Sequence, residues 1–191
     1  MRIALAIVVL WAGSAVAQQG QEKPPLPYYD WGACPFECCT YREWEAVKPV
    51  TAFKTRSARS SAAFQIKKGQ RVQGVTGVVV TTKYGITRIL KPVQIGYTSP
   101  GKSPELSLSP GDVVYTLHYQ GEASDLFWYH GKTYSDQISV PENAWGNVPY
   151  HEVLRVESRP KYAWWVKVKN RQGMVGWSKE TEAFAHMDSC E

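Results

Sequence analysis

Residues 96–103 match G-x-x-x-x-G-K-[ST], the pattern of the P-loop that cradles nucleotide phosphates. In a working P-loop a helix begins at the lysine, here Lys102, and its unpaired N–H groups point at the phosphates. Pro104 follows almost at once, and the sequence from Leu106 alternates like a strand instead of showing a helical period. We interpret the match as a coincidence in a turn-rich connection and expect no nucleotide or other cofactor.

Four cysteines, Cys34, Cys38, Cys39 and Cys190, could bind a metal, act as a nucleophile or form disulfides. Zinc sites usually present two C-x₂₋₄-C pairs, and the second pair is missing here. A catalytic thiolate needs an imidazole beside it on a helix or tight turn, and helix signals are poor throughout. An even number in an exported chain favours two disulfides. Pairing Cys38 with Cys39 is strained, and either other connectivity links Cys34 to one of these neighbours and Cys190 to the second.

The other residues that commonly carry chemistry show no diagnostic spacing. Histidines occur singly at positions 118, 130, 151 and 186, without the short spacings of a metal site. A glycosidase carboxylate pair is defined by its separation in space, so the sequence cannot name one. The sequence thus predicts no catalytic residue and no metal, and indicates that the protein is not an enzyme.

Aromatic residues are the remaining candidates, because an exposed ring offers a flat apolar platform with a polar edge. Such platforms suit proline-rich peptides, sugars and peptidoglycan stem peptides. Trp165 shares a predicted strand face with Lys167 and Lys169, and is expected to be exposed. The candidate ligand-binding residues are Trp128, Tyr129, Trp145, Tyr150 and Trp165. The competing interpretation is that these rings pack under loops or against the cysteine-rich segment.

The N-terminus has the organisation of a secretory signal peptide. Arg2 precedes an apolar run over residues 3–11, and small residues at 15–17 form a cleavage site. The apolar run is too short for a membrane-spanning helix, which needs about 20 residues. We therefore predict a signal peptide at residues 1–17 and an exported protein, periplasmic or secreted, with no transmembrane segment after cleavage. Residues 18–27 form a flexible leader, and residues 28–43 form an ordered, cysteine-rich cap.

The rest of the chain is rich in Val, Tyr, Trp and Thr and is interrupted by Gly and Pro, which predicts an all-β fold. Near its end, residues 162–177 form a predicted β-hairpin: an aromatic strand, a turn over residues 170–173 and a short return strand ending in Gly176 and Trp177. This pattern resembles the last strands of bacterial SH3-like domains. Residues 32–44 also resemble a segment of uncharacterised exported SH3-like proteins. The resemblance implies small β-barrels and a role in binding.

An internal repeat suggests two such barrels. Residues 64–72 and 106–114 share the pattern apolar-x-apolar-x-x-Gly-x-x-Val, which predicts a strand, a turn that needs glycine, and a return strand. We predict two tandem SH3-like barrels, at residues 44–92 and 94–188, behind the disulfide-stapled N-terminal segment. Residues 136–150 are rich in turn formers and are predicted to be a loop inserted in the second barrel.

Charge is distributed unevenly along the chain. Residues 46–104 contain eleven Lys or Arg and no acidic residue, so the first predicted barrel is strongly basic. Such a field attracts polyanions, for example acidic cell-wall polymers or anionic headgroups, whereas a nucleic acid is not expected outside the cytoplasm. Alternatively, this basic face docks on the acidic second barrel or is simply solvated.

Together these patterns predict an exported, non-enzymatic binding or scaffold module. What the SH3-like resemblance implies is contact with cell-wall peptide or another envelope component through aromatic residues. Two alternatives remain: a structural envelope protein that makes only protein–protein contacts, and a small envelope hydrolase with an unrecognised site.

Overall fold

The computed structural model describes residues 22–96, 105–138 and 150–190, except the side chains of Tyr150 and His151. The predicted signal peptide and most of the predicted inserted loop lie outside these ranges. Within them the chain is all-β, as its composition predicts. The exceptions are one helical turn, α1 (Tyr150–Val153), and one 3₁₀ turn, η1 (Thr181–Ala183). In the described ranges, no helix has the length and apolar character needed to cross a membrane.

Fifteen strands make up the described fold, and most of them have three to six residues. In chain order they are β1 (Tyr28–Trp31), β2 (Glu43–Ala46), β3 (Val50–Phe53), β4 (Ala62–Ile66), β5 (Arg71–Lys83), β6 (Ile86–Ile89), β7 (Val93–Ile95), β8 (Leu106–Leu108), β9 (Val113–Gly121), β10 (Ser124–Tyr129), β11 (Lys132–Asp136), β12 (Leu154–Ser158), β13 (Lys161–Lys169), β14 (Val175–Ser178) and β15 (Phe184–Ala185). Side chains alternate between core and solvent along many of them: in β2, Trp44 and Ala46 are fully buried while Glu43 is exposed.

An antiparallel sheet of eight strands is organised around β5. Its main order is β15-β2-β5-β13-β14-β3-β4. β2 pairs with the beginning of β5, whereas β1 pairs with residues 78–81 near its end. The 13 residues of β5 are therefore long enough to hold both β1 and β2 along one edge and β13 along the other.

The remaining strands form a five-stranded sheet, ordered β11-β10-β9-β6-β12, and the pair β7-β8. Two hydrophobic cores result. The first contains Trp44, Ala46, Val50, Ala52, Phe64, Ile66, Val72, Val166, Val168, Ala183 and Phe184. The second contains Ile89, Ile95, Leu108, Val114, Phe127, Ile138 and Leu154.

The two cores are not consecutive along the chain, so the predicted division at residues 92–94 needs correction. β13 lies in the second predicted unit, yet it pairs with β5 of the first over residues 161–169. β6 lies in the first predicted unit, yet it pairs with β9 and β12. Residues 86–158 thus form an insertion between two parts of the first core. The sequence repeat specifies local turns, but it carries no information about which distant strands pair.

The structure agrees more closely with the predictions that depend on neighbouring residues. The predicted terminal hairpin is confirmed as β13 and β14, with Val166 opposite Ser178 and Lys169 opposite Val175. Both repeat glycines, Gly69 and Gly111, have positive φ values of 79° and 96°, where a residue without Cβ is favoured. The strands on either side of these turns diverge instead of forming hairpins, since β4 pairs with β3 and β8 pairs with β7.

Disulfides fasten the cap to the end of the chain, as predicted. Cys34 pairs with Cys39, and Cys38 pairs with Cys190, which is 152 residues away. Backbone hydrogen bonds reinforce the second link: Thr40 N–H donates to the Met187 carbonyl at 2.9 Å, and Ser189 N–H donates to the Cys38 carbonyl at 2.8 Å. The two ends of the described chain are therefore joined both covalently and by hydrogen bonds.

Candidate functional site

Two exposed aromatic rings project from the short strand β1. Tyr29 and Trp31 are 40% and 59% exposed, and they share one strand face because they are two residues apart. Their ring centroids are 6.0 Å apart at an interplanar angle of 18°, so the rings stack. The intervening Asp30 points to the opposite face of the strand, where its carboxylate meets His118. The alternation of β1 therefore places both rings at the surface.

A third ring comes from the other end of the chain. Trp177 on β14 is half-buried, and it lies opposite Lys167 on β13 and opposite Phe53 on β3. The ammonium group of Lys167 is 5.8 Å from the centre of the Trp177 ring, within the range of a cation–π interaction. The terminal hairpin thus supplies both a ring and a cation.

Arg56 brings these rings together. It lies in the connection between β3 and β4, and its guanidinium carbon is 4.4 Å from the centre of Trp31, 5.2 Å from Trp177 and 5.4 Å from Tyr29. All three distances are within the roughly 6 Å range of cation–π attraction. Tyr29, Trp31, Arg56, Lys167 and Trp177 are called the aromatic surface below.

The loop that carries Arg56 is fixed by its own hydrogen bonds. Lys54 N–H donates to the Ser61 carbonyl at 3.0 Å and closes the base of the loop. Inside it, Ser60 N–H donates to the Ser57 carbonyl at 3.0 Å, and Arg59 N–H donates to Ser57 Oγ at 3.2 Å. Serine hydroxyls and carbonyls close short turns of this kind readily. Arg56 therefore projects from a loop of defined conformation.

Part of the basic segment is neutralised within the fold. The ion pairs Lys48–Glu182, Arg71–Glu43, Arg88–Glu157 and Lys91–Glu152 have N···O distances of 3.2, 2.9, 2.7 and 2.8 Å. Every acidic partner comes from outside residues 46–104. Over the ranges that the structure describes, six other cations of the segment form no ion pair: Lys54, Arg56, Arg59, Lys67, Lys68 and Lys83. Three of the six belong to the loop at the aromatic surface.

The structure places the predicted ligand-binding residues apart from one another. Trp165 is buried, with 8% exposure, so the prediction that it is exposed is wrong. It lies on β13, whose two edges pair with β5 and β14, and its register partner on β5 is the fully buried Val78. By register, Trp165 and Lys167 do share a face, and this face carries the aromatic surface.

The other predicted residues lie around the second core or outside the described ranges. Trp128 is half-buried: its indole N–H donates to the Glu22 carbonyl at 2.8 Å, and the Tyr28 ring lies edge-on to it. Tyr129 packs against the second core, where burial and a hydrogen bond to Asp112 raise its pKa to about 12. Trp145 lies outside the described residues, and Tyr150 begins α1.

The remaining chemical motifs have structural roles in the described part of the chain. His118 is fully buried, and its Nε2 and Nδ1 atoms lie 2.8 Å from Asp30 Oδ2 and from the Tyr119 carbonyl. Cys38, Cys190 and Asp188 lie close together, but the two sulfurs are bonded to each other and offer no thiolate. After the P-loop match, the next described element is strand β8. A P-loop would require a helix there.

A cleft of about 510 Å³ opens between the β4–β5 turn and the β13–β14 turn. Its walls combine amide and guanidinium side chains with apolar side chains in similar proportion. They comprise Phe64, Gln65, Ile66, Gly69, Gln70, Arg71, Val72, Asn170, Arg171, Gln172 and Met174. No member of the aromatic surface lines this cleft.

Sequence reasoning missed the aromatic surface because its members come from three distant segments. Tyr29 and Trp31 were assigned to the cap, Trp177 to the return strand of the terminal hairpin and Arg56 to a uniformly basic segment. The available signal was the i, i+2 spacing of two large aromatic residues flanking an acidic one at residues 29–31. Comparison of the chain with protein-family models, with curated proteins and with solved structures found no match.

Proposed function

We propose that this protein is an exported, non-enzymatic binding module whose aromatic surface contacts a peptide of the cell wall. The observation that carries the proposal is the convergence of three rings from β1 and β14 on one guanidinium group, that of Arg56, which forms no ion pair with a described residue. Large exposed rings are unusual on a surface with no partner and are enriched where proteins bind ligands. Each proposed SH3-like barrel corresponds to one hydrophobic core, with the second barrel inserted between β5 and β13 of the first.

The character of the rings favours an extended peptide or sugar-linked peptide over a deeply buried small molecule. Tyr29 and Trp31 are stacked and are 40% and 59% exposed, so they form an open platform on β1. An open platform gives apolar contact area to a chain lying across it, and nearby cations complement its negative groups. Stem peptides of the cell wall have both properties, because they are short and carry free carboxylates.

Retention of the protein on purified, insoluble peptidoglycan tests this proposal. We expect Trp31→Ala to lower the affinity by about tenfold or more, the effect typical of a central aromatic contact. Since Trp31 is 59% exposed, its removal should leave folding intact. Met174→Ala is the matched control, because Met174 is 46% exposed and lies outside the aromatic surface.

Three results would contradict the proposal. Equal retention of Trp31→Ala and the native protein would show that the aromatic surface is not the binding site. Loss of retention in Trp128→Ala alone would place the site on β10. Retention that survives Trp31→Ala and falls steeply with salt would indicate instead that a polyanion binds the basic segment.

A further inference from the structure

The guanidinium group of Arg56 lies among three aromatic rings. Within the described ranges it forms no ion pair or hydrogen bond, although Trp31, Trp177 and Tyr29 lie 4.4–5.4 Å away. Aromatic stacking uses the faces of a guanidinium and leaves the N–H groups along its edge available. Those N–H groups form a planar fork that matches two carboxylate oxygens at once.

The environment of Arg56 is positively charged. Lys54 and Arg59 lie in the same loop and are exposed, and Lys167 lies beside Trp177. No acidic residue occurs anywhere in residues 46–104. An anion approaching Arg56 therefore meets a local field that attracts it.

The contacts with the rings also restrict the Arg56 side chain before a ligand binds. An exposed arginine loses side-chain entropy when it is fixed by a ligand, and this loss weakens binding. Here three rings and an internally hydrogen-bonded loop already restrict the side chain. Arg56 thus has the features of an oxyanion anchor that is positioned before the ligand arrives.

We propose that Arg56 binds the free terminal carboxylate of a peptide, whose last residues lie on the rings of Tyr29 and Trp31. This inference rests on the proposed function, because it takes the ligand to be a peptide. A peptide terminus places one localised charge next to an apolar side chain, which matches one guanidinium set among rings. A phosphate polymer carries a charge on every unit and is better matched by a row of cations.

The test uses the whole protein and two probes, acetyl-alanyl-alanine with a free carboxylate and the same dipeptide with a terminal amide. Binding is followed by nitrogen–proton NMR at the Arg56 Nε–H and the Trp31 and Trp177 indole signals. We expect the free acid to shift these signals saturably and to bind about tenfold more tightly than the amide. Arg56→Gln, which removes the charge and the fork, should abolish this preference.

Arg59→Gln is the matched control, because it removes a positive charge from the same loop and Arg59 has no cation–π contact with the rings of the aromatic surface. We expect it to keep the preference for the free acid, with a small loss of affinity from the weaker field. Arg56→Lys keeps the charge but loses the fork, so the preference should fall below that of the native protein.

Equal binding of acid and amide, or no binding of either, would overturn the inference. So would signals that respond to inorganic phosphate and not to the free acid, since this would identify a phosphate ligand. If the free acid binds through Arg56 but the protein is not retained on peptidoglycan, the inference stands and the cell-wall proposal fails. If retention depends on Trp31 while Arg56→Gln binds normally, the cell-wall proposal stands and the carboxylate anchor fails.

Discussion

Removal of the long disulfide should destabilise the protein far more than removal of the short one. Cys38–Cys190 closes a loop of 152 residues, whereas Cys34–Cys39 closes a loop of five. On the chain-entropy model a cross-link stabilises by restricting the unfolded chain, and its contribution grows with the logarithm of loop length. The model gives about 5 kcal/mol for the long loop and about 2 kcal/mol for the short one.

The comparison needs two double variants, Cys38→Ser with Cys190→Ser and Cys34→Ser with Cys39→Ser. In each variant only one native disulfide can form, so no competing pairing arises. The contacts between the cap and the C-terminal segment remain in both, including the hydrogen bond from Thr40 N–H to the Met187 carbonyl. The difference between the two variants therefore reports mainly on the unfolded state.

Urea unfolding followed by tryptophan fluorescence measures that difference. With an m-value of about 2 kcal/mol per molar urea, a gap of about 3 kcal/mol separates the two midpoints by about 1.5 M. The m-value of the variant that lacks Cys38–Cys190 should also rise, because its unfolded chain is less compact and exposes more surface. Equal midpoints would refute the argument from loop length. So would a lower midpoint for the variant that lacks Cys34–Cys39 than for the variant that lacks Cys38–Cys190.

Three further predictions concern the anchoring of β1 and the cap. His118→Phe leaves the Asp30 carboxylate without its 2.8 Å partner, so the free energy of unfolding should fall by about 1–3 kcal/mol in urea titrations. Gly77→Ala adds a methyl group where the Trp164 indole nitrogen and the Tyr41 hydroxyl already lie, and should lower the thermal midpoint and alter the near-ultraviolet circular dichroism of the cap. Burial raises the pKa of Tyr41 to about 12, against about 10 when unfolded, so this tyrosine favours folding below pH 10 and loses that contribution as the pH rises towards 12. Alkaline unfolding should therefore set in over this range, and Tyr41→Phe should reduce the dependence of stability on pH.

The sequence was sufficient to predict features that depend on neighbours along the chain. Alternation of apolar residues predicts strands, and Gly69 and Gly111 mark turns because their backbone has positive φ. The terminal hairpin follows from an equally local signal. The choice of disulfides over a metal follows from the even number of cysteines in a chain predicted to be exported, and it needs no knowledge of strand pairing.

Strand pairing over long separations was beyond such reasoning. β5 and β13 both carry many apolar residues, but the apolar pattern of a strand indicates which residues face the core and not which distant strand is the partner. The repeat therefore suggested two consecutive barrels, whereas the residues of the second core are inserted between β5 and β13. The same limit hid the aromatic surface, since Arg56 meets Trp177 only because β14 pairs with the distant strand β3.

The aromatic surface depends on both cores through a single four-residue strand. The outward residues of β1, Tyr29 and Trp31, form the platform, while the inward carboxylate of Asp30 is hydrogen-bonded to His118 of the five-stranded sheet. Its backbone pairs with β5 of the eight-stranded sheet. Each sheet therefore fixes a different side of β1, and movement of one sheet against the other would shift the rings beneath Arg56. The insertion that forms the second core thus has a structural consequence for the aromatic surface, because it supplies the buried histidine that contacts Asp30 beneath the platform.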